Sequence, residues 1–330
     1  MTRQCRWGIM ATGGIADKFV SDLMTAGLPV AAAGSRSGSK AQAFAEAHGI
    51  PAAHGSYEAL VGDPNVDVVY VATPHPFHLE GARLALEAGK HVLIEKPLAM
   101  NAREARELAD LAEAKSLFLM EAMWTRFLPH MARLREIIAE GTLGQIRSLR
   151  ADHSQALPED PGHRLNDKAL GGGSLLDLGI YPVSFAWDVL GAPEAVHAVC
   201  RFKATGADAG VEIVMRHGGG ALSQMSCASD FAGPNTAQIV GEKAIVEIDA
   251  VWYTPSRLRL LSHDGAVLEE FDTRPEGRGM ECQALAVQEA VLGGRTSDPR
   301  MTPAQTVQIM ETMDRIRAEI GLSYEADTAG

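Results

Sequence analysis

The chain has 330 residues, a length that suits two domains better than one. Its formal net charge of −12 argues against a nucleic-acid surface, because such surfaces need clustered lysine and arginine. No apolar run is long enough to span a bilayer, and no secretory leader follows Arg3 and Arg6. The four cysteines are isolated and predict neither a disulfide framework nor a metal site, so we expect a cytoplasmic protein.

The first part of the chain alternates short apolar strands with helices. The pattern predicts strands at 6–10, 30–35, 66–73, 91–94 and 117–120. Helices are predicted between them, at 14–26, 39–48, 78–88 and from the cap at Asn101. Repeated strand–helix units of this kind form a doubly wound parallel sheet with helices on both faces. We therefore expect an α/β Rossmann domain over residues 1–124.

The second part of the chain, residues 125–330, has a different pattern. A helix near 128–140 is followed by runs in which apolar and polar residues alternate, near 196–203, 211–215, 222–228, 244–249, 257–262 and 267–271. They predict an α/β domain with an open, mostly antiparallel mixed sheet. Its free face predicts a homodimer or a higher homo-oligomer. The final helix, 303–320, is placed in this domain and can pack back towards the first.

A glycine-containing turn joins the first strand to the first helix. Its residues, Ala11-Thr12-Gly13-Gly14-Ile15-Ala16, occupy the place where a Rossmann domain holds pyrophosphate on the N–H groups of a helix N-terminus. Ala11 replaces the first glycine of the usual pattern, whereas Gly13 keeps the position of close backbone approach. The context of strand, turn and helix predicts a dinucleotide site that includes Ala11, Thr12, Gly13, Gly14 and Ile15.

The end of the second strand indicates which dinucleotide is bound. An acidic residue at this point would bind the ribose 2′-hydroxyl of NAD, and none is present. Arg36 can instead pair with a 2′-phosphate, assisted by the hydroxyl of Ser35. The sequence predicts NADP in preference to NAD.

Three later segments carry groups suited to chemistry. Thr73 and His75 follow the third predicted strand, and Glu95-Lys96-Pro97 follows the fourth. Open parallel sheets bind ligands at these carboxyl ends, so Thr73, His75, Glu95 and Lys96 are expected to lie near the cofactor. The third segment, Gly171–Pro182, opens a helix in the second part and contains Asp177 and Tyr181.

Together these segments resemble the Gfo/Idh/MocA family of oxidoreductases, over nearly the whole chain. Glu95-Lys96-Pro97 is the most specific short motif. Residues 121–127 and 177–181 are similar to the branch of dimeric dihydrodiol dehydrogenases and NADP-linked D-xylose dehydrogenases. The resemblance implies a Rossmann domain followed by a domain used for oligomer contact. It also implies that Trp124 and Arg126 border the cofactor or substrate.

The chemistry of alcohol oxidation gives these residues roles. The reaction needs a base for the hydroxyl proton, and tyrosine is a weak base at its ordinary pKa of about 10. A nearby ammonium stabilises tyrosinate, which Lys96 supplies to Tyr181 if the second domain folds over the cofactor. Asp177 lies four residues before Tyr181 and is expected on the same helix face, where it orients substrate or Lys96. Whether Lys96 or Tyr181 transfers the proton directly stays open.

The sequence thus predicts an NADP-dependent oxidoreductase acting on a CH–OH group of a sugar, cyclic polyol or trans-dihydrodiol. Other activities of the same family are alternatives: reduction of an anhydro- or keto-sugar, or inositol oxidation. An alternative of another class is a non-catalytic NADP-binding regulator. No metal, nucleic-acid or membrane partner is predicted. His153 and His163 are candidates for the pocket, although solitary histidines in a sheet are usually structural, and His78 is expected to be structural.

Overall fold

In the computed structural model, which describes residues 3–328, the chain forms two compact units. The first unit runs to Trp124 and also includes Glu276–Val307, and the second contains Thr125–Pro275 and the residues from Gln308 onwards. The sequence prediction placed 276–307 in the second domain, whereas in the structure this segment packs with the first unit. Buried backbone contacts explain the difference, because the Asp22 carboxylate accepts hydrogen bonds from the backbone N–H groups of Arg278 and Met280.

The first unit contains a six-stranded sheet among the described residues. Its strands are β1 (Trp7–Met10), β2 (Val30–Gly34), β3 (Ala52–His54), β4 (Val68–Val71), β5 (His91–Ile94) and β6 (Leu119–Glu121). Their order is β3-β2-β1-β4-β5-β6, and each adjacent pair is parallel. The predicted Rossmann sheet is therefore confirmed. The strand order reverses beside β1, which places the ends of β1 and β4 at the point where such sheets bind nucleotides.

Helices connect these strands. They are α1 (Gly14–Thr25), α2 (Gly38–His48), α3 (Tyr57–Val61), α4 (His78–Glu87) and α5 (Ala102–Ala114). Their ends follow local chemistry: Ser37, Ser56 and Asn101 cap α2, α3 and α5 with side-chain oxygens. The strands between them are apolar and buried, as in the fully buried Val68–Val71. Strand β3 and helix α3 were absent from the sequence prediction.

The second unit contains an eight-stranded sheet in the described part of the chain. After helix α6 (Pro129–Ala139), its strands are β7 (Ile146–Ser154), β8 (Pro193–Phe202), β9 (Asp208–His217), β10 (Leu222–Ala228), β11 (Ala237–Gly241), β12 (Ile245–Ile248), β13 (Leu258–Leu261) and β14 (Val267–Phe271). The order is β14-β13-β12-β11-β7-β10-β9-β8, and only β7 and β10 pair in parallel among these strands. The predicted open, mostly antiparallel mixed sheet is confirmed.

Three further helices complete the two units. Helix α7 (Ile180–Leu190) follows a π-helical turn at Leu175–Gly179 and packs on β7 and β10. Gly179 permits this approach, since a Cβ there would lie 2.9 Å from the Cys227 sulfur. Helix α8 (Met280–Leu292) packs on α1 in the first unit, and α9 (Pro303–Ile320) begins in the first unit and ends in the second.

Candidate active site

The turn after β1 has the geometry of a diphosphate site. Ala11 adopts a φ of 77°, the left-handed conformation for which glycine is usually needed, and its N–H bonds the Gly34 carbonyl at 2.9 Å. Gly13 is the N-cap of α1 and makes no side-chain cap, so the first-turn N–H groups face no capping oxygen. A Cβ added at Gly13 or Gly14 would meet nothing within 4 Å. The residues present therefore fit a bound pyrophosphate on an open helix N-terminus.

The end of β2 gathers basic and hydroxyl side chains at the start of α2. Arg36 is exposed, and its guanidinium carbon lies 5.6 Å from the centre of the Phe77 ring. Burial raises the pKa of the Tyr57 phenol, and the charge of the nearby Arg36 acts in the opposite direction. The Ser35 hydroxyl accepts the Ser37 N–H at 3.3 Å.

Lys40 adds a second cation at the N-terminus of α2. Its backbone N–H approaches the Ser37 hydroxyl oxygen at 3.5 Å, so it lies within the first helical turn. Sequence reasoning missed Lys40, although its position four residues after Arg36 was a usable signal. It also missed Tyr57 and Phe77, which come from other elements and give no local signal.

Buried polar groups lie where β4 and β5 end. Thr73 is buried, and its hydroxyl has no hydrogen-bond partner among residues 3–328. A buried hydroxyl of this kind is a candidate for binding a ligand. His75 is also buried and contacts the ring of His78.

His78 joins the loops after β4 and β5. Its Nδ1 lies 2.8 Å from the Pro97 carbonyl and its Nε2 lies 2.8 Å from the Thr73 carbonyl. Burial lowers the pKa of His78 to about 4, and the Lys96 charge acts in the same direction. A neutral His78 donates to only one of these carbonyls at a time. The contacts agree with the structural role expected for this residue.

The Glu95-Lys96-Pro97 segment follows β5 directly. The buried Glu95 carboxylate accepts hydrogen bonds from the Tyr70 hydroxyl and from the backbone N–H of Lys96. These contacts fix the base of the segment, so they favour an orienting role for Glu95. Lys96 is partly exposed and precedes Pro97 through a cis peptide bond.

Trp124 follows β6 and is buried in the first unit. The guanidinium carbon of Arg278 lies 5.8 Å from the centre of its ring, a cation–π contact. Arg278 belongs to segment 276–307, which packs with the first unit and is bound by Asp22. The sequence alone gave no sign that Arg278 would contact Trp124.

In the second unit, a glycine-rich turn leads into the helix that carries Asp177 and Tyr181. Asp208 caps this turn: its Oδ2 accepts the Ser174 hydroxyl at 2.7 Å and the Leu175 N–H at 2.6 Å. Gly173 has a φ of 138°, and a Cβ there would lie only 1.9 Å from the other Asp208 oxygen. The glycines are thus needed for close packing around a carboxylate whose pKa is raised by burial.

Asp177 lies within the π-helical turn and Tyr181 lies in the first turn of α7. Both are mostly buried. π-Turns inside helices are frequent at functional sites. The Asp177 carboxylate lies 3.5 Å from the guanidinium of Arg164, whose side chain is half exposed. Arg164 was missed, because the loop that carries it gives no periodic signal.

The Arg126 guanidinium is held against α7. It is buried and donates to the Ser184 hydroxyl at 2.9 Å and to the Ser184 carbonyl at 2.7 Å, both on α7. The Asp188 carboxylate lies 3.9 Å away. These contacts attach Arg126 to α7. They do not test the predicted contact of Arg126 with the cofactor or substrate, which stays a prediction.

Comparison with known protein families agrees with a dinucleotide-binding first unit. Residues 5–123 match the model of the oxidoreductase family with an NAD-binding Rossmann fold, and residues 131–247 match the GFO/IDH/MocA C-terminal domain. The chain belongs to the Gfo/Idh/MocA family. It is 38% identical to trans-1,2-dihydrobenzene-1,2-diol dehydrogenase from Mus musculus over 331 residues and 36% identical to the Homo sapiens enzyme over 337 residues. Each alignment covers 98% of both chains.

Solved structures agree over nearly the full length. A 3-ketoreductase from Actinomadura kijaniata, crystallised with NADP and TDP-benzene, has a TM-score of 0.86 and 27% identity, covering 96% of this chain and 98% of its own. An aldose–aldose oxidoreductase from Caulobacter crescentus, complexed with glycerol, has a TM-score of 0.86 and 26% identity, covering 96% and 97%. The family member described here is a nicotinamide-dependent oxidoreductase. No helix within residues 3–328 has the length and apolar character needed to cross a membrane.

Proposed function

We propose that this chain is an NADP-dependent oxidoreductase that transfers a hydride between nicotinamide and a CH–OH group of a sugar, cyclic polyol or trans-dihydrodiol. The observation that carries the proposal is the helix start in the second unit, where a capped glycine turn presents Asp177 and Tyr181 on successive turns. Full-length similarity to dihydrodiol dehydrogenases supports the same reaction class.

The proposed preference for NADP rests on the side chains between the end of β2 and the first turn of α2. Arg36, Lys40 and the hydroxyls of Ser35 and Ser37 offer cations and donors to a 2′-phosphate. The ketoreductase neighbour was crystallised with NADP, which is consistent with this preference. Ala11, Thr12, Gly13, Gly14 and Ile15 would hold the pyrophosphate.

The remaining residues of the first unit would border the nicotinamide end of the cofactor. Thr73, with its unpartnered buried hydroxyl, and His75 are the best placed by burial at the end of β4. Trp124 is assigned to the same region by its position after β6. Glu95 would act by orienting Lys96, whose backbone N–H it accepts.

The chain's own groups would handle the hydroxyl proton. When bound, the nicotinamide supplies or accepts the hydride. Tyr181 is assigned to proton exchange with the substrate hydroxyl, and the ammonium of Lys96 to stabilising its phenolate. Asp177 is assigned to orienting the substrate hydroxyl, and its pairing with Arg164 keeps the carboxylate fixed. Direct proton transfer by Lys96 is the competing assignment.

We also propose that the chain self-associates through the exposed face of its eight-stranded sheet. One row of paired residues crosses every strand of this sheet: His197, Val214, Gln224, Arg150, Gln238, Glu247, Arg259 and Glu270. Charges of both signs occur along the row, and Val199, Val214 and Leu222 are exposed apolar residues of β8, β9 and β10. A mixed surface of this kind suits a second copy of itself.

Two classes of alternative function stay open to experiment. Similarity to the 3-ketoreductase favours a keto-sugar as an alternative substrate, and reduction of an anhydro-sugar or oxidation of inositol belongs to the same class of alternatives. A non-catalytic regulator that binds NADP is the alternative of another class. The presence of Lys96, Asp177 and Tyr181 in one chain argues against the regulator.

A substrate panel separates these functions. Purified protein is assayed with NADP or NADPH against trans-dihydrodiols, aldoses, cyclic polyols and keto-sugars, with reduced nicotinamide read at its absorbance. We expect turnover of a hydroxylated substrate with NADP, at higher kcat/KM than with NAD. Tight NADP binding without turnover of any panel member would contradict the proposed enzyme and support the regulator.

A further inference from the structure

Three aromatic rings of the second unit form one cluster around Tyr181. The His153 ring stacks on the Tyr253 ring with centroids 3.7 Å apart and planes 25° apart. The Tyr181 centroid lies 4.9 Å from His153, at an interplanar angle of 74°, and 5.5 Å from Tyr253. These two distances are similar, whereas a third ring stacked on top of His153 would be much farther from Tyr253 than from His153. Tyr181 therefore lies beside the stacked pair and contacts both rings.

Hydrogen bonds fix the two stacked rings to each other. The Gln155 amide nitrogen lies 2.7 Å from His153 Nε2 and donates to the Tyr253 hydroxyl at 3.2 Å. The Gln155 amide thus links His153 Nε2 to the Tyr253 hydroxyl. The Tyr253 hydroxyl donates in turn to Asn235 Oδ1 at 3.4 Å. The rings consequently have little freedom to rotate.

The backbone beneath Tyr253 is anchored from two sides. The Thr125 hydroxyl donates to the Tyr253 carbonyl at 2.7 Å, and His130 Nε2 lies 3.0 Å from the Trp252 carbonyl. From β7, the Asp152 carbonyl accepts the Trp252 indole N–H at 2.7 Å. The stack is thus a rigid support held by the strand that carries His153, by Thr125 and by His130 in the first turn of α6.

We propose that His153 and Tyr253 are positioning residues that hold the Tyr181 phenol in the orientation required for proton transfer. This inference rests on the proposed function of Tyr181. Perpendicular ring contacts have a preferred geometry, because the positive edge of one ring meets the negative face of another. Proton transfer requires the donor and acceptor atoms to be aligned, so loss of this support lowers the rate of the chemical step.

Paired substitutions at His153 test the inference. His153→Leu removes the ring, whereas His153→Phe keeps a ring that can still stack on Tyr253. We expect His153→Leu to lower kcat by about 10- to 100-fold, the scale of a small misplacement of a reacting group, with NADP affinity unchanged. His153→Phe should recover most of kcat. His263→Leu, the same exchange at an exposed position of the second unit, is the matched control and should retain parent kinetics.

Phenylalanine and leucine substitutions at Tyr253 provide an independent test if His153→Leu fails to fold. Tyr253→Phe should keep kcat near the parent value and Tyr253→Leu should lower it, with folding checked by thermal unfolding. An unchanged kcat in folded leucine variants would overturn the inference, as would equal losses in the phenylalanine and leucine variants. Tyr181→Phe is measured in the same assay. If Tyr181→Phe retains full activity, the proposed role of Tyr181 in proton transfer is wrong. If Tyr181→Phe is impaired while the leucine variants at His153 and Tyr253 are not, only the positioning role of His153 and Tyr253 is wrong.

Discussion

Ala11 shows how a single residue departs from a sequence pattern without losing its geometry. It adopts a φ of 77°, which costs an L-residue about 1 kcal/mol relative to glycine. The methyl group is small, and the backbone bond from Ala11 N–H to Gly34 holds the conformation. The turn can therefore present the same open helix N-terminus as the glycine pattern.

Arg36 is the residue on which the cofactor prediction depends most. Arg36→Ala should selectively weaken NADP binding by about 1–3 kcal/mol, because a charge-assisted contact to the 2′-phosphate is lost. NAD binding should change little. Dissociation constants for both cofactors are measured by fluorescence titration, with Arg147→Ala, a surface arginine paired to Glu242, as the control. Equal weakening of NADP and NAD, or none, would remove Arg36 from this role.

Residue-level prediction can name candidates where the signal is local. The glycine turn, Arg36 and Lys96 each follow a predicted strand, and strand ends can be located from hydrophobicity alone. Tyr57, Arg164 and Tyr253 were missed, because each meets its neighbours only through the tertiary fold. No periodicity or spacing encodes such a contact.

At the scale of elements, the eight-stranded sheet combines a core face with an exposed face. Alternation along β9 and β10 places Ile213 and Met225 in the core, while Val214 and Gln224 point to the other face. The sequence pattern predicted this alternation correctly. It could not show that the row of paired residues continues across every strand, since strand order depends on long-range pairing.

Val214 tests whether this exposed face binds a second copy. It is 41% exposed and lies near the middle of β9. The parent protein is expected to sediment as a dimer or larger species, and Val214→Arg should shift it towards monomer because a buried unpaired charge opposes association. Leu285→Arg, on helix α8 with 44% exposure, is the control. A monomeric parent, or a Val214→Arg protein with unchanged sedimentation, would contradict the assignment.

Some helices and strands could not be predicted from the sequence, for physical reasons. Strand β3 has only three residues, too few for a periodic signal. Helix α8 is apolar around much of its circumference, so no single hydrophobic face stands out from its sequence. The π-turn at Leu175–Gly179 was not predicted either, because the four-residue spacing of Asp177 and Tyr181 is the same in a regular α-helix.

At the scale of the molecule, the chain builds its two units from non-contiguous segments. The segment 276–307 returns to the first unit, where Asp22 and Glu281 accept backbone N–H groups of residues 277–280. Burial raises the pKa of Glu281, and its hydrogen bond with Asp22 acts in the same direction. Such a return depends on packing between distant segments, which explains why the predicted boundary at 125–330 was incomplete.

The proposed mechanism requires Lys96 to act through Tyr181 in one proton-transfer step. A double-mutant cycle tests it most directly: single-turnover rates of NADPH formation are measured for the parent, Lys96→Ala, Tyr181→Phe and the double variant, with Lys115→Ala as an exposed control. Each single change should lower the rate by about 10²- to 10⁴-fold, and the double variant should be little slower than the slower single variant. Independent, multiplicative losses, or full activity in either single variant, would contradict the claim.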